Sequence, residues 1–514
     1  MSLRYALAYL FAACLFMIRT HADEDLSTPL ERAEFSRIST SDAVSAYLRR
    51  LQAGSPLARY QILGRTAGGR VIDALFISEA PGALQPGALP ERLTVLLVGT
   101  QHGTEPSGGE ALLVVAREIL HGSLRSLLRD GDFILVPNAN PDGRDLHRRV
   151  NANGVNLSTD FVLLSQPESR VLNDLLLRER PEMVLDVHES AVFKAKSLGR
   201  EGFMTDFEAQ FEIANNPNVD AEVRALSLER LLPAILERCR ARGLPAERYI
   251  GEITSTRQPV TNGGLSLKNL RNKAGFLGAF SFLVENRLDP RAGQYASYRN
   301  IRARANKQLI SIVSFLEVVQ SYRQEILARV AAMRRPNRSV PTTLYAGYQP
   351  DQQHPRVAIH LVRIDNGERV PQWFADHRAV QADPPLTRPA AYVITQHAEQ
   401  LKPVFDRQGI RYRAVDRAIE TPAVAQRMLE DSVVHLIGTQ AVTMKNTAAH
   451  SVNLALAPGA LRIDLAQPYG ALVPLLLEPR STSSVFQSAG YAALLPRAGD
   501  FFVYRIERGS VSSD

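Results

Sequence analysis

The sequence predicts an α/β protein: a mixed central sheet with helices on both faces, followed by a smaller β-rich domain. Three observations carry that expectation. Apolar runs of strand length recur at 93–99, 132–137, 182–187 and 275–284, separated by stretches of helical periodicity. Polar residues follow directly on these runs, where open α/β sheets hold their ligands. Beyond residue 335 the pattern shifts to short alternating segments punctuated by Pro and Gly.

With 514 residues the chain is too long for one ordinary domain. A net charge of +7 is spread over scattered arginines without a stripe or run, so a nucleic-acid partner is not expected. Arg4, the apolar stretch 6–18 and Thr20-His21-Ala22 read as a secretory signal over residues 1–22. The stretch is too short for a comfortable membrane span, and none is expected after cleavage. A secreted location follows, periplasmic or extracellular. Cleavage would remove Cys14 and leave Cys239, so no internal disulfide is expected. The remaining organisation is a catalytic domain at 23–335, a linker at 336–342 (Pro336, Arg338 and Pro341 within it) and a β-rich accessory domain at 343–514.

In chain order, 42–52 has helical spacing, with Ser41 or Asp42 as cap. Strands at 60–63 and 71–78 flank the turn Gly64 to Arg70, making a hairpin. After the strand at 93–99 come His102-Gly103-Thr104-Glu105 and a helix over 109–121. The strand at 132–137 runs into Asn138 to Gly143, which must be a loop. A helix at 167–178 leads to the strand 182–187 and then His188. Residues 203–218 read as an irregular insertion, 221–242 as a helix and 255–272 as a polar, flexible loop. The run 275–284 delivers Glu285, and 305–335 is one long helix. In the second domain 356–361 alternates as in a β-sandwich, 395–409 is helical, and 472–477 reads as a buried strand ending at an ion-paired Glu478.

His102, Glu105 and His188 offer two imidazoles and one carboxylate. That set makes a three-ligand zinc site with a position left open for water. Chemistry at such a site needs a nearby carboxylate base, and Glu285 is the candidate. An acidic residue at the end of an apolar strand is costly unless it has a job or a partner. Pairing with Arg287 is the structural alternative.

Together these residues resemble the zinc carboxypeptidase family, the carboxypeptidase A-like metallopeptidases, over roughly residues 40–320. The chain looks like a divergent bacterial-type member with an extra C-terminal domain. The resemblance rests on the Gly64–Arg70 hairpin, His102/Glu105, Asn140-Pro141-Asp142-Gly143, Arg149-Val150-Asn151 with Gly154-Val155-Asn156-Leu157, His188 and Glu285, all in the family's order. It implies one Zn²⁺ per chain held by His102, Glu105 and His188. It also implies Glu285 as general base, Arg149 (or its neighbour Arg148) as oxyanion donor, and a peptide substrate bound by Arg149, Ser158 and Thr159.

Two departures matter. Ser158-Thr159 stands where the family carries an Asn-Arg pair for the substrate's C-terminal carboxylate. Asn156 stands where the family has an Asp supporting a ligand His. No aromatic residue lies between Tyr249 and Phe276 to match the family's substrate-side Tyr. Three functions stay open. One is a peptidase whose substrate terminus is held by other groups, such as Arg257, Lys268 or Arg271. The others are an amide hydrolase acting on acylated amino acids or cell-wall peptides, and a zinc-binding module without turnover. The oligomeric state is not legible.

Overall fold

The structure is a computed structural model describing residues 26–79, 92–192, 197–288, 300–334, 342–437 and 440–508. The signal-peptide expectation at 1–22, and nearly all of the linker expectation at 336–342, lie outside the described residues.

Eight strands form one mixed sheet. They are β1 (Ala58–Arg65), β2 (Val71–Ile77), β3 (Leu93–Gly99), β4 (Gly131–Val136), β5 (Met183–Ser190), β7 (Ala209–Ile213), β8 (Ala246–Arg248) and β9 (Phe280–Arg287). The short β6 (Phe203–Thr205) lies outside it. The order is β1-β2-β4-β3-β5-β9-β7-β8, and the central quartet β4-β3-β5-β9 is parallel. Every residue of β3 and β4 is buried, as a sheet covered on both faces requires.

The two faces divide the strand residues by parity. Val95, Leu97, Leu185 and Val187 face one core, which is closed by α1 (Ser41–Ala53), α2 (Ser107–His121), α4 (Leu232–Ala241) and α6 (Ile301–Ser321). Leu96, Val98 and Val184 face the other, closed by α3 (Pro167–Glu179) and α5 (Leu270–Phe276). The expected α/β architecture is therefore present.

Several local expectations change. Thr40, not Ser41 or Asp42, caps α1, its hydroxyl accepting from the Ala43 amide at 3.3 Å. The insertion 203–218 contributes β6 and β7; β7 is antiparallel to β9, so this stretch is part of the sheet and not merely rim. Gly275 belongs to α5, and the fourth apolar strand starts at Phe280. The long C-terminal helix breaks at Tyr322 into 301–321 and 323–333.

The C-terminal region is β-rich but is not a simple sandwich. Seven strands (Ala391–Ile394, Arg413–Ala414, Ile419–Ile437, Gln440–Leu456, Leu461–Asp464, Gly499–Asp500 and Val503–Ile506) form one sheet. Its core is shared with α7 (Ala398–Arg407) and α8 (Leu472–Leu477). The run 472–477 is thus a helix, buried at all six positions. A short apolar run carries no periodicity that separates the two forms. Glu478 after it is ion-paired as expected, taking both Nε and an NH₂ group of Arg505 at 2.7 Å. The smaller sheets are β10 (Ala346–Gln349) with β13 (Ala379–Ala382), and β12 (Arg369–Ala375) with β11 (Arg356–Arg363) and β6. The last of these joins strands from both halves of the chain. Among the described residues no helix is long and apolar enough to cross a membrane.

The halves also meet at Lys273. Its ammonium is buried and donates to Gln408 Oε1 at 2.5 Å, while Gln408 Nε2 donates to the carbonyls of Phe161 and Val162. Burial without a counter-charge brings the Lys273 pKa down to about 7. The unfolded chain then binds more protons than the folded one between about pH 7 and pH 10, so stability from this group rises with pH over that window. Chemical denaturation across pH 7–10 should give a shallower rise in Lys273→Met than in the wild type, whatever the variant's absolute stability.

Candidate metal centre and active site

Parallel pairing brings the site together. β3 pairs with β5 so that Gly99 lies beside Val187, and β5 pairs with β9 so that His188 lies beside Glu285. Both strands run past these residues, so His188 and Glu285 sit inside the strand ends and not beyond them. His102 and Glu105 lie on the tight turn after β3, closed by Glu105 N–H donating to His102 C=O at 3.0 Å. That turn packs directly on the loop after β4. A Cβ on Gly103 would overlap the Gly143 backbone, so glycine is required between the two ligand residues.

The loop after β4 is fixed in turn. Asn140 caps the short helix Pro141–Asp145, accepting from Gly143 N at 2.9 Å. Asp142 accepts from the hairpin, taking Gly68 N at 2.9 Å and Arg70 NH1 at 2.6 Å. Arg144 is wholly buried, bonded to Glu110 and to the Ser39 carbonyl. The hairpin and the Asn-Pro-Asp-Gly loop therefore act as a brace for the chain leading to Arg149.

Three donor atoms converge. His102 Nδ1 lies 3.0 Å from Glu105 Oε2 and 3.2 Å from His188 Nδ1, which is 3.1 Å from the same carboxylate oxygen. All three residues are buried. Ligands about 2.0–2.2 Å from a tetrahedral Zn²⁺ sit about 3.3 Å apart, so this triangle fits one ion with little adjustment. Two nitrogens and one oxygen are also the donor types zinc takes.

The far imidazole nitrogens are held, which leaves each Nδ1 lone pair for the centre. His102 Nε2 meets Asn156 Oδ1 and Ser158 Oγ, each at 2.9 Å. His188 Nε2 meets Asp186 Oδ1 at 3.0 Å, and Gln101 Nε2 donates to the same oxygen at 2.5 Å. Burial alone would lower His188, but Asp186 and Glu105 outweigh it and hold its pKa well above the usual range. Burial likewise raises Glu105, and the two imidazoles reverse that, holding it well below.

The other expected residues fall as follows. Arg149 is half-exposed and donates from NH1 to Glu105 Oε1 at 2.5 Å; Arg148 is exposed and takes no part in that pair. Ser158 lies on the ligand support, against His102 and Asn156, while Thr159 is exposed, its hydroxyl on the Asn156 carbonyl. Glu285 has a buried Oε2 with no hydrogen-bond partner. Burial pushes its carboxyl up to about 7; His188 opposes that push, and the charge of Glu105 adds to it. Arg287 turns to Thr205 and Glu208. Of the three cations considered for a substrate terminus, Arg257 is exposed, Lys268 is half-buried, and Arg271 is buried with NH2 on Asn215 and Gly264.

Three residues at the site were not read from the sequence as parts of it. Asp186 and His188 are two apart on a strand and so share a face, which is a usable signal. Gln101 carried none. Tyr249 N–H donates to the Phe211 carbonyl at 2.9 Å, on the strand that sets Gln210 beside Glu285, and its phenol is raised by burial and then by the charge of Glu285.

A sequence profile described as zinc carboxypeptidase matches residues 44–193, a range that holds His102, Glu105 and His188 and ends before Glu285. Probable carboxypeptidase 2 of Trichophyton verrucosum is 26% identical over 265 residues, 51% of this chain and 51% of that protein. Carboxypeptidase 2 of Trichophyton tonsurans is 22% identical over 475 residues, 91% of this chain and 86% of that one. The chain spans about half the length of the first of these curated relatives. The crystal structure of a metallo-carboxypeptidase from Burkholderia cenocepacia aligns over 56% of this chain and 71% of its own, at 17% identity and a TM-score of 0.43. The profile match and the carboxypeptidase relatives make residues 44–193 of this chain similar to the zinc carboxypeptidase family.

Proposed function

We propose that the protein is a secreted zinc-dependent metallopeptidase, carboxypeptidase-like in chemistry, whose grip on a substrate's C-terminal carboxylate has been rewritten. The observation that carries this reading is the convergence of His102 Nδ1, Glu105 Oε2 and His188 Nδ1 beside the unpartnered Oε2 of Glu285. When bound, Zn²⁺ supplies Lewis acidity toward a carbonyl and toward water. His102, Glu105 and His188 hold it, and Asn156 and Asp186 fix the two imidazoles. Glu285 takes a proton from the attacking water and later delivers it to the leaving amine. A carboxyl raised to about 7 suits both halves of that exchange. Arg149, already at the edge of the centre, stabilises the oxyanion.

The rewritten grip rests on Ser158, which supports His102 where the family has a cation-bearing pair, so no bidentate fork stands there. This same feature favours the second reading, an amide hydrolase on acylated amino acids or cell-wall peptides. The signal peptide at 1–22 and the division into 23–335, 336–342 and 343–514 belong to the proposal as well.

Elemental analysis of the purified protein should find about one zinc per chain, strongly reduced in His188→Ala. Full zinc in that variant would remove His188 from the ligand set. Glu285→Gln should keep its metal and lose roughly 10²-fold or more in hydrolysis. Blocked dipeptides with free C-termini should be cleaved poorly. Robust cleavage abolished by Arg271→Met would instead assign the terminal carboxylate to the opposite wall.

A further inference from the structure

The metal ligands and their supports all come from residues 101–188, but the wall beside Glu285 comes from a different stretch. Residues 249–271 carry Tyr249, bonded through its N–H to Phe211 on the strand that sets Gln210 beside Glu285, and the buried Arg271. Most of it falls within 255–272, expected to be a flexible loop. It has little regular structure, yet its backbone is held at many points: on one side by Gln210, Phe211, Glu212, Asn216 and Phe161 of the first half, on the other by groups of the C-terminal region.

The Tyr348 hydroxyl on β10 donates to the Gly263 carbonyl at 2.6 Å and accepts from Asn215 Nδ2 at 3.0 Å. Ser483 Oγ accepts from Leu267 N at 2.9 Å. Val260 makes a parallel bridge at the end of β12, donating to the Ala375 carbonyl and accepting from His377 N, both at 2.9 Å. The packing repeats this pattern. The buried apolar side chains of the stretch are Ile250, Val260, Leu265, Leu267 and Leu270, of which Leu270 packs in the core under α3 and the other four toward the C-terminal region. Ile250 and Val260 share a cluster with Ile359, Leu361 and Phe374; Leu265 clusters with Ala346; Leu267 enters the core of the large C-terminal sheet.

We propose that the C-terminal region is a positioning element for the substrate wall of the active site, with Tyr348 and Ser483 as its positioning residues. They act through Gly263 and Leu267 on a stretch that the first half holds through Glu212, Asn216 and the buried Leu270. Regions 101–188 and 344–508 then divide the work. The first holds the metal and the second holds the wall that receives the substrate. The catalytic consequence rests on the reading of Glu285 as base; the structural consequence does not.

The test is a Tyr348→Phe/Ser483→Ala double variant of the full chain. Tyr392→Phe serves as control, because it removes a hydroxyl from the Glu478 network of the same region without touching the stretch. Amide hydrogen exchange over 260–268 should speed up about tenfold in the double variant. Zinc content should stay at the wild-type level. KM for a peptide the wild type cleaves should rise about fivefold with kcat within about twofold, as expected when a binding wall loosens and the chemistry is intact. The control should show neither change. Unaltered exchange over 260–268, or the same change in the control, would overturn the proposal. So would zinc loss that accompanies the exchange change. If the wild type cleaves no peptide, the functional reading fails on its own, and exchange and zinc content still decide the positioning role.

Discussion

The site depends on strand register. In the parallel pair β5–β9, His188 stands beside Glu285, and within β5 Asp186 and His188 share a face because side chains alternate along a strand. A slip of one residue would turn His188 and Asp186 into the opposite core and bring Leu185 and Val187 to the cleft. That slip is prevented by packing remote from the chemistry. Leu185 and Val187 belong to the core under α2 and α6, Val184 to the core under α3 and α5. Hydrophobic burial on both faces thus sets where the candidate ligand His188 points, at about 1.5–3 kcal/mol for each fully buried side chain.

The loops add a second constraint of another kind. His102 and Glu105 are held by the contact of two backbones, at Gly103 and Gly143, and no side chain intervenes. The hairpin arginine Arg70 and the buried Arg144 press the second backbone into place through Asp142, Asp145 and Glu110. The recurring glycines and acids in these motifs are explained by this fit, while the chemistry belongs to the residues they carry.

Much of this was legible in the sequence, and the limits have physical causes. His102, Glu105, His188 and Glu285 stood out because polar residues after apolar runs fall at strand ends, where sheets present their ligands. Asn156 was legible from its place in an ordered set of motifs, and it meets His102 as that order implied. Asp186 was hidden because it sits inside an apolar run, where only the two-residue period marks it. β7 was missed because its alternation, Ala209-Gln210-Phe211-Glu212-Ile213, lasts only five residues inside an irregular stretch, and the helix at 472–477 because six apolar residues in a row fit either form. Ser158 was read as facing substrate, since nothing local announced its bond to His102 Nε2. The wall at 249–271 was least legible of all. Its polar, glycine-rich composition reads as a free loop when its partners lie far away in the chain.

That distance has a bearing on timing during synthesis. The bond from Tyr348 to Gly263 spans 85 residues and the one from Leu267 to Ser483 spans 216, whereas His102 and His188 lie 86 apart. Domains begin to form on the nascent chain, N-terminal parts first, and contacts of large separation come late. The three candidate ligands can meet while the ribosome is still adding the second half of the polypeptide, but the wall opposite has only its ties to the first half until Tyr348 and Ser483 have emerged. A half-made chain would carry the candidate ligands beside a wall held from one side, and the second side arrives with Ser483.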